Sequence, residues 1–388
     1  MKKIIDPVPV ELIKAELTKD KKLINTNRGN NEIYVVTGND SPNVLREIGR
    51  LRELSFRTAG GSTGNAIDLD EFDSMESPYR QLIVWDPDEE AIIGGYRFLF
   101  GSDARMDENG QPILASAHQF HFSQKFIEDY LPHMMELGRN FVVPAYQSSK
   151  AGARSIFAMD NLWDGLMAII IKNPNLLYVF GKVTIYPSYD KITRDLTYHF
   201  LWKHFGDKEK LVFPKEDTAV LPQSDPALMD LILNQTDILE DYKLLKNAAR
   251  MRNVNIPPNF SAYISITPMM HMFGTSVNRL MNDIEDTGIL IPIDSIYQEK
   301  IRRHVGAYLK FTLKNGRKRA AQGRTEDMEE MVYVREKGYE IVKRSKALGK
   351  ISSNEFTLAV AGTHGKTSTS TMIAHIFTQV GNGCNAFL

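Results

Sequence analysis

The sequence predicts an α/β fold, and three observations predict it. Apolar runs of strand length alternate with segments of helical periodicity through the first 205 residues. Of the 388 residues, 43% are hydrophobic, ample core for two domains or for one large domain with extensions. No apolar run reaches the ~18 residues of a membrane span.

The elements follow in order. Periodicity predicts a helix over 10–17 and a strand over 32–37 that stops at Gly38, Asn39 and Asp40, so that 1–42 reads as a lead-in. An amphipathic helix over 43–56 precedes a loop over 58–76 rich in Gly, Thr and acidic residues. Apolar strands over 81–85 and 92–100 flank Pro87, Asp88, Glu89 and Glu90, a hairpin connection. A helix over 127–135 leads into a strand over 136–143. A polar loop over 145–154, a helix over 155–172, a strand over 176–185 and a helix over 188–205 complete an α/β order. Past 206 the chain turns polar and Pro-rich, with a helical stretch near 228–251. Apolar segments then alternate with turn signals over 260–296. The run 297–321 is strongly basic, and charged residues over 322–330 mark a boundary. The divisions are therefore 1–42, 43–205, 206–326 and 327–388.

A formal charge of −1 argues against a nucleic-acid binder. The single cysteine, Cys384, excludes a disulfide framework and a Cys-cluster zinc site, and it fits a reducing, cytoplasmic compartment. The N-terminal Met-Lys-Lys-Ile-Ile-Asp-Pro has no apolar stretch of signal-peptide length, so membrane contact is expected to be peripheral, at an anionic inner surface. His118 and His121 would alternate sides on a strand and have no third ligand at metal spacing, so no metal is expected. His271, within the Met-rich 269–273, reads as core or as the wall of an apolar tunnel.

Two runs carry more. Glu136-Leu137-Gly138-Arg139-Asn140-Phe141-Val142-Val143, then Leu162-Trp163-Asp164-Gly165-Leu166, with Asp68-Leu69-Asp70-Glu71-Phe72-Asp73 and Gly94-Gly95-Tyr96-Arg97-Phe98 upstream, resemble the hemolysin-like branch of the GNAT superfamily. That branch holds the N-acyltransferases that begin ornithine- and glycine-lipid synthesis. The resemblance spans about 45–205 and, more weakly, 206–321. It implies a GNAT-like acyltransferase fold, a mixed central sheet flanked by helices, with an acyl thioester bound in a V-shaped opening between the strands at 136–143 and 176–185.

Acyl transfer needs a neutral amine, a stabilised oxyanion and a proton for the departing thiolate. Glu136 is the first candidate for base or amine-positioning group, the alternative being an ion pair with Arg97 or Arg139. Asp73, counted with the catalytic set, and Asp70 are candidates for the substrate ammonium, and Arg97 is placed with the substrate-binding residues. Arg139 is read as a bidentate clamp for a substrate carboxylate or as a scaffold partner for the acidic loop. Lys150, Gly152 and Arg154, just before a helix, suit the phosphopantetheine phosphate. The implied donor is the phosphopantetheine thioester of acyl carrier protein, with no other cofactor. The implied acceptor is a small amino acid, glycine or ornithine. The basic 297–321 run would dock the acidic carrier protein or anionic lipid.

The second run is Ala359-Val360-Ala361-Gly362-Thr363-His364-Gly365-Lys366-Thr367, an apolar strand, a glycine turn and a helix start. Backbone N–H groups and Lys366 would cradle phosphate, and Thr367 would hold Mg²⁺. It resembles the ATP loop of Mur ligases, and the resemblance extends back to about 327. The fold expectation therefore includes a short, incomplete P-loop strand-helix fragment after the extension, with Gly362, Thr363, His364, Gly365, Lys366 and Thr367 as a vestigial or accessory ATP and Mg²⁺ site. A nucleotide-binding, Mur-ligase-related protein is the competing function.

Overall fold

The computed structural model describes residues 1–147, 153–306 and 308, all within one compact unit, Met1–Lys314. The chain opens with helix α1 (Val10–Glu16) and strands β1 (Lys22–Asn25) and β2 (Glu32–Val36). Helix α2 (Pro42–Ala59) starts with proline at its first position, where no N–H is missed, and ends on Gly60 at φ +97°, a left-handed cap that glycine adopts without strain. The one-turn α3 (Glu71–Ser74) is closed by a capping box between Asp70 and Asp73. Strands β3 (Arg80–Asp86), β4 (Ala91–Phe100), β5 (Phe120–Phe122) and β6 (Met134–Val142) follow, then α4 (Ala153–Lys172), β7 (Tyr178–Ile185), α5 (Lys191–Phe205), β8 (Val212–Pro214) and β9 (Ala219–Val220). Helices α6 (Pro226–Ile232), α7 (Ile238–Met251) and α8 (Pro258–Ile264) and strands β10 (His271–Asn278) and β11 (Ile284–Pro292) complete the order.

Nine strands form one mixed sheet in the order β1-β2-β3-β4-β6-β7-β11-β10-β9, and β5 pairs with β8 separately. Among the described strands only β6 and β7 run parallel, as expected of a strand pair joined by a crossover helix, here α4. Both faces are covered. On one, β-strand residues such as Leu82, Phe98 and Val179 pack with Leu162 and Leu166 of α4, and this layer continues into Val183, Leu196 and Phe200 beneath α5 and α7. On the other, Ile48 and Leu51 of α2 meet Ile83 and Trp85, and a Phe-rich cluster of Phe122, Phe126, Phe180 and Phe273 fills the rest.

The mixed sheet flanked by helices is the expected one, but its extent is larger than the sequence suggested. Strands β1 and β2 of the lead-in join it, and so do β9, β10 and β11, so the division at 205/206 cuts no boundary in the sheet. The helix expected over 127–135 is a π turn (Phe126–Tyr130) followed by a 3₁₀ turn (Leu131–His133), and the strand begins at Met134. Pro132 blocks a regular helix there. The stretch near 228–251 divides into α6 and α7 around Asp237, which caps α7 by accepting from Leu239 and Glu240. His118 sits in a 3₁₀ turn and only His121 in a strand, so the expected strand alternation does not relate them. No helix among the described residues is long and apolar enough to cross a membrane.

Candidate active site

The site begins where two strands part. β6 and β7 pair only at Met134, Met135 and Glu136, opposite Tyr178, Val179 and Phe180. Beyond that, β6 runs six more residues and β7 five more without pairing to each other, while β7 stays paired to β11 to its end. This is the V-shaped opening. Two glycines flank it. A Cβ on Gly181 would meet nothing nearer than 3.9 Å, and on Gly138 nothing nearer than 3.7 Å, and neither has positive φ. Their lack of side chains leaves space rather than relieving strain.

A bulge widens the opening on the β6 side. Across the β4–β6 ladder Arg97 pairs with Gly138 and Gly95 with Phe141, so Arg139 and Asn140 together face Tyr96. Arg139 takes φ +51°, a left-handed conformation that costs a side-chain-bearing residue about 1–3 kcal/mol. The bulge sends Arg139 toward the acidic loop, where its Nε lies 3.0 Å from Asp68 and its Nη2 3.4 Å from Asp70.

Around it stands a buried ionic network. Arg97 grips Asp70 through two bonds of 2.6 and 2.8 Å and reaches Asp73 at 3.2 Å. Arg52, fully buried, holds both oxygens of Asp73 at 3.1 Å, and Gln81 donates to the same carboxylate at 3.0 Å. Three arginines thus face three aspartates. Burial pushes the Asp73 carboxyl up, but Arg52 and Arg97 outweigh it and hold it well below the usual carboxylate range. Asp73 is consequently a fixed structural anion, with no oxygen left for a substrate ammonium.

A cavity of about 170 Å³ passes through the sheet at the opening. On the α4 side its wall is apolar: Met159, Leu162, Trp163 and Leu166 of α4, Tyr263 of α8, and Ile266, Ile291 and Ile296. On the other side Arg139, Lys182, Thr184, Asn278 and Asp286 line it beside Phe56, Tyr186, Met281 and Ile284. Asp286 is 3% exposed. It accepts from Thr184 at 2.6 Å and Asn278 at 3.0 Å and pairs with Lys182 at 3.2 Å. Burial alone would raise its pKa; the Lys182 charge and the two hydrogen bonds lower it. Lys182 also donates to Gln119 at 2.5 Å, which leaves one of its three donors for a ligand.

Glu136 stands at the vertex but does not line this cavity. It is paired with neither Arg97 nor Arg139. Instead it accepts from the Tyr79 hydroxyl and from the Ser116 N–H at 2.9 Å, and it is 2% exposed. Arg97 lies over the Tyr79 ring at 5.2 Å, which ties Glu136 to the network at one remove. Arg139 does reach the cavity; Asp70 and Arg97 support it from behind. Lys150 and Gly152, the side chain of Arg154, and Gly362, Thr363, His364, Gly365, Lys366 and Thr367 lie outside the described residues. Sequence reasoning missed Lys182, Asn278 and Asp286. Only the short polar steps within the strands at 176–185, 271–278 and 284–292 could have signalled them.

A parallel pair splayed with a glycine on each strand, a bulge at the opening and an apolar chamber behind it define a GNAT-type acyltransferase. Residues 51–155 match the acetyltransferase (GNAT) domain family. Over 309 residues, 80% of this chain and 91% of the relative, the sequence is 53% identical to the glycine N(alpha)-acyltransferase of Bacteroides thetaiotaomicron. It is 50% identical to that of Phocaeicola vulgatus over 310 residues, 80% of this chain and 94% of the relative. The chain belongs to this family of N-acyltransferases. A further 62 residues, 16% of the chain, are 53% identical to the UDP-N-acetylmuramate–L-alanine ligase of Porphyromonas gingivalis and cover 14% of that enzyme.

Proposed function

We propose that this N-acyltransferase moves a fatty acyl group from the phosphopantetheine thioester of an acyl carrier protein to the amine of a small amino acid, glycine foremost, as a step in aminolipid synthesis. One observation carries the reading: the cavity is apolar on the α4 side of the sheet and bears a charge pair on the other, with the strand opening between. An acyl chain and its pantetheine arm fit the apolar side. A zwitterion fits the other, because Lys182 and Asp286 offer one charge of each sign.

In this reading Lys182 and Arg139 hold the acceptor carboxylate and Asp286 faces the amine. The depressed pKa of Asp286 makes it a weak proton sink, so it orients the amine, and the open polar mouth lets the ammonium proton pass to water. The amine attacks the thioester carbonyl at the strand opening, and N–H groups of the Arg139–Asn140 bulge stabilise the oxyanion in this reading. Support for an acidic carrier partner comes from Lys300, at the rim of a smaller cavity that shares Trp163, Ala262, Ile266 and Ile296 with the main one; Arg303 and His304 beside it are already paired with Asp160 and Asp164. The pairing of glycine with this chain rests on the relatives' activity. The ligase-like stretch takes no part in the reaction.

The test is direct. The full chain is incubated with acyl carrier protein or coenzyme A thioesters and with glycine, ornithine, serine or alanine, and products are read by mass spectrometry. N-acylglycine from the carrier thioester is expected. Product from coenzyme A alone would overturn the carrier assignment, and a preference for ornithine would overturn the acceptor.

A further inference from the structure

The bulge on β6 has a single residue opposite it, Tyr96 of β4. Its side chain is 5% exposed and packs in the α4 layer with Leu162, Leu166 and Val179, yet it also borders the cavity. Its hydroxyl is buried and, among the described residues, has no hydrogen-bond partner. Three other tyrosines of this fold have partners for their hydroxyls. Tyr79 donates to Glu136, Tyr198 donates to Glu285 at 2.7 Å, and Tyr34 donates to Glu32 at 2.6 Å. A buried hydroxyl without a partner calls for an explanation, since phenylalanine would fill the same space with no polar atom to desolvate. The placement supplies one: the residue that carries the orphan donor borders the cavity, and its backbone stands opposite the bulge.

We propose that the Tyr96 hydroxyl donates a hydrogen bond to the carbonyl oxygen of the bound acyl thioester and is a catalytic residue that stabilises the oxyanion. The inference rests on the reading that a thioester lies in the opening between β6 and β7. The amine lone pair forms the new C–N bond, and the carbonyl π pair moves onto oxygen beneath Tyr96. When that pair returns, the C–S bond breaks, the thiolate leaves and takes up a proton, and the nitrogen gives one up to water. Thioester and amine become amide and thiol, with no oxidant or reductant. Tyr96 keeps its own proton throughout. Burial pushes its phenol well above the ordinary value, so it remains a neutral donor. The pairing of side-chain and backbone donors on one oxygen is what an oxyanion site requires.

The test is Tyr96→Phe in the full chain, assayed with an acyl-carrier thioester and glycine. Loss of one oxyanion donor is expected to lower kcat by about 10²–10³-fold, with both KM values within threefold. The unfolding midpoint should not fall, because the hydroxyl has no partner in the fold to lose. With an unreactive ketone analogue of the donor bound, the carbonyl stretch should lie at lower frequency in the wild type than in the variant. A kcat within threefold of wild type, an effect confined to the KM of the donor, or an unshifted carbonyl stretch would each overturn the assignment. A wild-type chain inactive with every thioester would instead overturn the underlying reading, so the two failures are distinguishable.

Discussion

Lys182 and Asp286 are diagonal neighbours across the β7–β11 pair, 3.2 Å apart at the polar mouth of the cavity. Thr184 and Asn278 hold the Asp286 carboxylate in place, and Lys182 keeps one donor for a ligand. Lys182→Met should therefore act on the acceptor. Its kcat/KM for glycine is expected to fall at least tenfold, while the KM for the acyl donor stays within twofold. Steady-state kinetics varying each substrate in turn check this. An effect on the donor instead would move Lys182 to the other half of the site.

Gly181 tests whether the strand opening is the donor's seat. Alanine fits there, since its Cβ would lie 3.9 Å from the nearest atoms, Leu137 O and the Tyr263 hydroxyl. Gly181→Leu places three further carbons in the gap. The expected result is a leucine variant with a near-normal unfolding midpoint and a donor kcat/KM reduced at least tenfold, and an alanine variant affected far less. Equal activity in all three proteins would show that the thioester binds elsewhere.

The Arg52–Asp73–Arg97 cluster makes a prediction about stability and pH. Removing one partner of a buried ion pair leaves an uncompensated charge and costs about 3–5 kcal/mol. Asp73→Asn is expected to destabilise by about that much at pH 7, read by denaturant unfolding. The sign for pH follows from the depressed folded-state pKa. The stabilisation is present above the unfolded value of about 3.9 and drains away as pH falls through it toward the lower folded value. Wild-type stability should thus hold from pH 7 to about 5 and decline below about 4. The variant should decline less steeply.

Much of this was legible in the chain because it is local. Glu136, Gly138 and Arg139 lie within four residues, and the order strand, loop, helix, strand suits a parallel pair, whose splay the family resemblance implied. What escaped depends on pairing between distant segments. Asp286 lies in Asn-Asp-Ile-Glu-Asp-Thr-Gly, which reads as a turn until β11 is seen beside β7. Lys182 looks like the polar half of a strand alternation. The bulge that turns Arg139 toward Asp68 is one extra residue in a ladder, and only the register shows it. Glu136 depends on the same kind of pairing: its position at the vertex suits a base, but its partners are Tyr79 and Ser116, 57 and 20 residues away.

Glu136 can be separated from a base by the shape of its pH profile. A base loses the acid limb of kcat/KM against pH when it is changed to an amide; a positioning residue lowers the plateau and leaves the limb where it was. Because Glu136 does not line the cavity and binds Tyr79 and the Ser116 N–H, Glu136→Gln is expected to lower the plateau and preserve the limb. Tyr79→Phe should do the same to a smaller degree. Loss of the limb in Glu136→Gln alone would restore the carboxylate as proton acceptor.

The ligase-like stretch yields the last prediction. Acyl transfer from a thioester to an amine runs downhill, because the amide product is more stable than the thioester, so the reaction needs no nucleotide to drive it. The acyltransferase relatives align over 80% of this chain and 91–94% of their own length, which makes a near-complete acyltransferase without the ligase-like segment. Lys366→Ala removes the cation expected to bind phosphate in that segment. It should leave kcat and both KM values for acyl transfer within twofold, and ATP with Mg²⁺ added at millimolar concentration should change neither protein's rate. A fivefold fall in the variant, or a nucleotide response in the wild type that the variant lacks, would show that the two parts are coupled, and the ligase-like segment would then be a regulator rather than a passenger.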